Sequence, residues 1–192
     1  ALWLSLTTIA AAQLPQIKLN ALFPNGAQAG TAVDVTVTSG VDLEELNKLH
    51  FSHPGITAAQ KMQDQGGKPV PVPKQFTVTV AANVPPGVYE VRAGGLYGQS
   101  NPRVFTVGAR KELVETEPNN TTEQATPLEL GVTVNGRING ATDVDCYKVT
   151  AQQGQRLLVE CLAKRIDSKL DGSLELYDLN GKRLAAVRAN VA

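Results

Sequence analysis

The sequence is short of most things that would name a function at once. Its 192 residues carry no excess of either charge, with 18 Lys and Arg against 18 Asp and Glu. A neutral chain lacks the basic surface that releases counterions from nucleic acid or draws a protein to anionic lipid, so neither is expected as a partner. Aromatic residues make up 5% and charged residues 19%, too little charge for a coiled coil. Two histidines and two cysteines leave little material for a zinc centre. There is no G-x-S-x-G elbow, P-loop or G-x-G-x-x-G turn. No apolar run reaches the roughly 20 residues that a membrane-spanning helix needs. What the chain has in quantity is turn chemistry, 17 Gly and 11 Pro, which suits many short strands rather than a helical bundle.

The opening segment reads as targeting sequence. Ala1 to Ala12, ALWLSLTTIAAA, is uncharged and apolar, and it ends in three small residues before Gln13. That is the pattern of the h-region and cleavage site of a secretory signal peptide whose beginning is missing. A buried first strand and a short membrane anchor are the other readings. The expected location is exported: extracellular, cell-surface or periplasmic.

Beyond it, period-2 alternation at Ile17–Leu22, Val33–Thr38, Phe76–Val80, Val88–Arg92 and Val104–Val107 predicts strands. Pro24-Asn-Gly26, Gly66-Gly-Lys-Pro69, Pro85-Pro-Gly87 and Gly94-Gly95 read as the turns between them. Asp42 followed by Glu45 has capping-box spacing, but the seven residues Asp42–Lys48 are too few for an independent helix and predict one turn in a loop. The pieces Phe23-Pro-Asn-Gly26, Ala29-Gly30 before Val33-Asp-Val-Thr-Val, and Pro86-Gly-Val-Tyr-Glu-Val up to Phe105-Thr-Val resemble an IPT/TIG-like immunoglobulin-fold domain. The resemblance implies a sandwich over residues 16–108 that acts as a spacer or interaction module and carries no catalytic residues.

After a linker at 109–116, the region 117–192 is the more distinctive one. Glu115-Thr-Glu-Pro-Asn-Asn120, Gly140-Ala-Thr-Asp-Val-Asp-Cys-Tyr147, Gly154-Gln-Arg-Leu157 and Leu174-Glu-Leu-Tyr-Asp-Leu-Asn-Gly181 follow one another in order. Together they resemble the bacterial pre-peptidase C-terminal domain, a β-sandwich appended to secreted enzymes and related in fold to collagenase collagen-binding domains. Cys146 departs from that pattern, and the sequence ends at Ala192 before such a domain would be complete. The fold class expected is thus all-β, with two sandwiches in tandem and the second incomplete.

The chemistry on offer in the second region is that of oxygen ligands. In extended backbone Glu115 and Glu117 project to one side, with Asn119 and Asn120 just beyond Pro118; Asp143 and Asp145 repeat the i, i+2 spacing. Calcium takes six to eight oxygens, several of them carboxylate, and two such clusters brought together supply that kind of set. In the collagen-binding relatives the acidic linker binds calcium. The resemblance therefore implies Glu115, Glu117, Asn119, Asn120, Asp143 and Asp145 as Ca²⁺ ligands, against the alternative of a solvated linker turn and loop carboxylates.

Other candidates are weaker. His50 and His53 form H-x-x-H ahead of Pro54 without the Glu or helix of a zinc protease, and read as loop residues. Strand alternation puts Cys146 and Cys161 on opposite faces of neighbouring runs joined by a Gln152–Gln155 turn, which predicts free cysteines with Cys161 in a core. The functional expectation is a non-catalytic binding or spacer module whose partner is an extracellular polymer or envelope component. The alternative is a pair of accessory domains serving a downstream catalytic domain of a secreted peptidase or other hydrolase.

Overall fold

A computed structural model describes residues 15–188; the expected signal segment lies outside them. The architecture is all-β, with no α-helix among the described residues. None of them forms a helix long and apolar enough to cross a membrane.

The first region is a two-sheet sandwich. One sheet has β1 (Lys18–Phe23), β3 (Ala32–Val41), β6 (Pro69–Val80) and β5 (Ile56–Asp64) in the order β1-β3-β6-β5, all neighbours antiparallel. The other runs β2 (Gly26–Gln28), β9 (Arg103–Gly108), β7 (Gly87–Gly95), β4 (Lys48–Phe51), with β8 (Gly98–Gln99) folded back on the end of β7. Within it β2 runs parallel to β9 and the other pairs are antiparallel.

Inward alternation explains the core. Val35 and Val37 from β3, Phe76, Val78 and Val80 from β6, and Val91 and Ala93 from β7 are buried against Phe105 and Val107 from β9. Fully burying a side chain of this kind contributes roughly 1.5–3 kcal/mol, so this one cluster dominates the stability of the region. Phe51 meets Phe105 edge-on at 5.1 Å, closing the core at the β4 side.

All five strands predicted here form. The loop predicted at Asp42–Lys48 also forms as a non-helical connection up to β4, and both Asp42 and Glu45 adopt left-handed backbone (φ 52° and 50°). Gly94-Gly95, expected as a turn, is instead the end of β7. The reversal falls on Leu96-Tyr97, because Gly94 and Gly95 pair with Gln99 and Gly98.

Three residues, Ala109–Lys111, separate β9 from the next strand, and Gln28 Nε2 donates to the Ala109 carbonyl at 3.3 Å. The second region consists of three strand pairs. Strand β10 (Glu112–Val114), inside the expected linker, runs parallel to β12 (Thr133–Asn135). Strand β11 (Thr126–Leu128) runs parallel to β13 (Tyr147–Val149), and β14 (Ser173–Tyr177) forms an antiparallel hairpin with β15 (Arg183–Arg188) through a turn that contains Asn180 and Gly181.

Two expectations fail here. Leu157–Cys161 forms no strand, and Cys161 is exposed rather than in a core, because no buried apolar residue lies in this region for it to join. Both cysteines are free, as alternation predicted.

Beyond the linker strand the regions meet at Asp167 and at Arg137. Asp167, in left-handed backbone after the 3-10 turn Lys164–Ile166, accepts the Val104 amide at 2.9 Å and lies 3.8 Å from the Arg103 guanidinium. Asn25 Nδ2 donates to the Ile166 carbonyl at 3.3 Å beside it. At the other contact the Arg137 guanidinium sits 4.6 Å over the ring of Phe23.

Candidate metal centre

The acidic motif is positioned by the parallel pairing of β10 with β12. Continuing that ladder, the Glu115 amide donates to the Asn135 carbonyl at 3.0 Å, which aims the Glu115 side chain at the loop leaving β12. Its Oε1 accepts the Arg137 amide at 2.5 Å, and its Oε2 accepts the Tyr147 hydroxyl at 3.3 Å. Gly136 lies against it: a Cβ there would stand 2.6 Å from Glu115 Oε2 and 3.3 Å from Asp145 Oδ2. Only a residue without a side chain lets the backbone approach the carboxylates this closely.

The second arm is Glu117-Pro-Asn-Asn120, whose Glu117–Pro118 peptide is cis. Glu117 Oε2 accepts the Asn119 amide at 3.1 Å, and Oε1 accepts Asn139 Nδ2 at 3.2 Å. The Asn119 carbonyl accepts the Cys146 amide at 2.8 Å, which ties the linker to the residue after Asp145.

This geometry brings Glu115, Glu117 and Asp145 together, with one carboxylate oxygen of each within 4.8 Å of the others. Asp143 is not in that triad; its Oδ2 caps the Asn139 amide at 2.5 Å. Asn120, with its amide turned to suit its neighbours, donates to Asp143 Oδ1 at 2.9 Å and to the Val144 carbonyl at 3.1 Å. Asn119 has its side chain at the heart of the junction with no surface exposed.

Electrostatically the site is crowded with like charge. Three carboxylates at this spacing repel one another, by about 1 kcal/mol per pair in water and about 4 kcal/mol at the effective dielectric of a protein surface. Asp145 registers the strain: burial, then the charges of Glu115, Asp143 and Glu117, push its carboxyl up to about 6. Burial and the Asp145 and Glu115 charges hold the Tyr147 hydroxyl far above the usual phenol range, so it stays a donor. Burial and the Asp145 charge also raise the Cys146 thiol, which disfavours the reactive thiolate.

Among the described residues, three buried side-chain atoms have no hydrogen-bond partner: Asn119 Oδ1, Asn119 Nδ2 and Asp145 Oδ1. An unsatisfied buried polar atom costs about 1–3 kcal/mol, and one of these three belongs to a carboxylate of the triad. Oxygen donors of mixed carboxylate and amide type, on a wrapping backbone, fit a hard divalent cation of the calcium kind. They do not fit a thiolate- or imidazole-preferring metal.

Sequence reasoning did not reach Tyr147, Gly136, Asn139 or Glu112. Glu112 is half-buried and hydrogen-bonded by Asn135 Nδ2 at 2.8 Å, with burial raising its carboxyl above the ordinary range. Its oxygens lie 3.2 Å from where a Cβ would stand on Gly26 and on Gly108, so it wedges the start of β10 against the first sandwich. The histidines diverge. His53 Nδ1 accepts the Gly55 amide at 3.0 Å and its ring meets Tyr89 edge-on, while His50 faces outward from β4.

No family model matches the chain, and no curated protein matches it. Among solved structures it is similar to the Bacteroides ovatus mixed-linkage glucan utilization locus protein SGBP-B in complex with a mixed-linkage heptasaccharide. The identity is 14% and the TM-score 0.34, over 88% of this chain. The chain spans 41% of the length of that protein. Similarity at this level transfers neither fold nor ligand.

Proposed function

We propose that the chain is a non-catalytic binding or spacer module of a secreted or surface protein, and that Ca²⁺ bound at the domain junction holds its second region in place. The observations that carry the calcium assignment are the gathered Glu115–Glu117–Asp145 carboxylates, with Asp145 Oδ1 lacking a partner, and the wholly buried, unpartnered side-chain amide of Asn119 on the same arm as Glu117. A solvated linker turn would not bury an unpartnered amide. Glu115, Glu117, Asp145 and Asn119 would hold the ion, with Asp143 and Asn120 bracing the loop that presents Asp145. The bound ion would neutralise the carboxylate repulsion and fix the linker against the β12–β13 loop. The resemblance of residues 117–192 to the pre-peptidase C-terminal domain supports the same reading, as does the scarcity of nucleophile and acid–base pairs in the sequence.

The test is thermal unfolding with Ca²⁺ and with chelator, since a ligand bound only by the folded state must raise the midpoint. Wild type should shift upward with Ca²⁺, and the Glu117→Ala/Asp145→Ala double variant should not. An unchanged wild-type midpoint defeats the assignment, and a shift that survives the double variant places the ion elsewhere.

A further inference from the structure

A second concave surface lies on the first sandwich, away from the acidic junction, where β1, β4 and the β7–β8 hairpin converge. Two hollows of about 440 and 500 Å³ adjoin there, and Gln99 borders both. Gly94, Gly95 and Gly98 of the hairpin border the second hollow and put no side chain into it. At Gly94 a Cβ would stand 3.2 Å from His50 Nε2 and fill part of the trough. Its floor is fixed in advance. Asn101 exchanges two 3.0 Å hydrogen bonds with the Leu19 backbone, and the buried Ser100 hydroxyl accepts the Ala93 amide at 2.9 Å.

The walls combine three kinds of chemistry. Tyr97, a residue 38% exposed, borders the first hollow and offers an aromatic ring on which a sugar ring can stack. Gln16, Asn20 and Gln99 add side-chain amides, each both donor and acceptor, as alternating hydroxyls require. Lys18 borders one hollow and Lys48 with His50 the other, and no Asp or Glu lines either. Among the charged side chains that line the trough all are cationic, which favours an anionic ligand within it. An apolar peptide or lipid finds too little exposed hydrocarbon there. A densely charged nucleic acid finds cations only inside the trough and none in surplus over the rest of the chain.

We propose that this trough binds an acidic polysaccharide, an extended sugar chain bearing carboxylates at intervals. Tyr97 stacks on a ring, the amides take hydroxyls, and Lys18 and Lys48 pair with carboxylates. The proposal rests on the reading of the chain as a binding module, but not on calcium.

The probe is polygalacturonate in native affinity electrophoresis, run with chelator present so that the outcome is independent of the junction site, with a neutral β-glucan in a parallel gel. The expected result is retardation by polygalacturonate that weakens as salt rises. A Lys18→Ala/Lys48→Ala double variant should lose about tenfold in affinity, Tyr97→Ala should lose a similar factor, and Lys68→Ala in the distant β5–β6 turn should lose none. All these side chains are exposed, so thermal midpoints should match wild type. Absence of retardation by polygalacturonate overturns the proposal and leaves the calcium reading standing. Retardation by the neutral glucan that the lysine variant retains overturns the acidic assignment, and equal loss in the Lys68→Ala variant shows non-specific charge attraction instead.

Discussion

Residues 17–107 and residues 109–188 are both built of short strands, yet they keep their shape by opposite means. Every buried apolar side chain among the described residues belongs to the first stretch, from Ile17 to Val107. The second has a single buried side chain, and it is the amide of Asn119. Leu158 and Leu179 are 90% exposed, and the β14–β15 hairpin is open on both faces. The first region is thus organised by hydrocarbon burial and the second by a polar junction at its entrance. For the second, one ion would add specificity that side-chain packing does not supply.

The contrast breaks most readily in the core. Phe76→Ala should cost about 3–5 kcal/mol in denaturant unfolding of the first region; a cost below about 1 kcal/mol would show that the sandwich does not depend on that cluster. Next in size is the ion. At a hundredfold excess over its dissociation constant Ca²⁺ should add about 2.7 kcal/mol. Limited proteolysis should then show protection confined to residues beyond 109, and protection spread evenly over the first sandwich would erase the distinction.

A smaller effect concerns pH in chelator. The Asp145 carboxyl is raised to about 6 in the fold, above an ordinary value of 3.8. Its contribution to stability is therefore fully present below the ordinary value and is lost as pH rises through about 6. The chelated protein should be more stable near pH 5 than near pH 7, and Asp145→Asn should flatten that profile. A wild-type profile that rises toward pH 7 contradicts the crowding of carboxylates.

The contact at Asp167 is worth less. Asp167→Ala removes the acceptor for the Val104 amide and should cost about 1 kcal/mol. At the bottom of the scale Leu184→Ala, on the open hairpin, should change stability by no more than about 0.5 kcal/mol. A larger loss would reveal burial of that face in solution.

The same contrast governs what was legible in the sequence. The predicted strands of the first region alternate cleanly because one face of each is buried. Strand β5 escaped notice because its outer half is exposed on both faces. The front of β6 escaped because Pro69, Pro71 and Pro73 argue against a strand; they fit since that stretch pairs only with β5, leaving its other side free of ladder bonds. In the second region the run Leu157–Cys161 looks like a strand by composition, but a strand is stabilised by what covers it, and nothing described does.

At the candidate metal centre, i, i+2 spacing pointed to Glu115, Glu117 and Asp145, which the fold gathers, and to Asp143, which lies outside that triad. Tyr147, Gly136 and Glu112 were not readable, because their roles depend on how β12 and β13 return to the linker. The resemblance to a calcium-binding linker directed attention to Asn119, whose burial without a partner only the fold could disclose.

Arg137 links this chemistry to mechanics. Its backbone amide is held by Glu115, and its side chain rests on Phe23 across the boundary. A residue gripped at one end by a carboxylate of the acidic cluster and leaning with the other on the neighbouring body acts as a strut. If the proposed ion binds there, filling the site would stiffen the joint against bending through Arg137, and emptying it would loosen that joint.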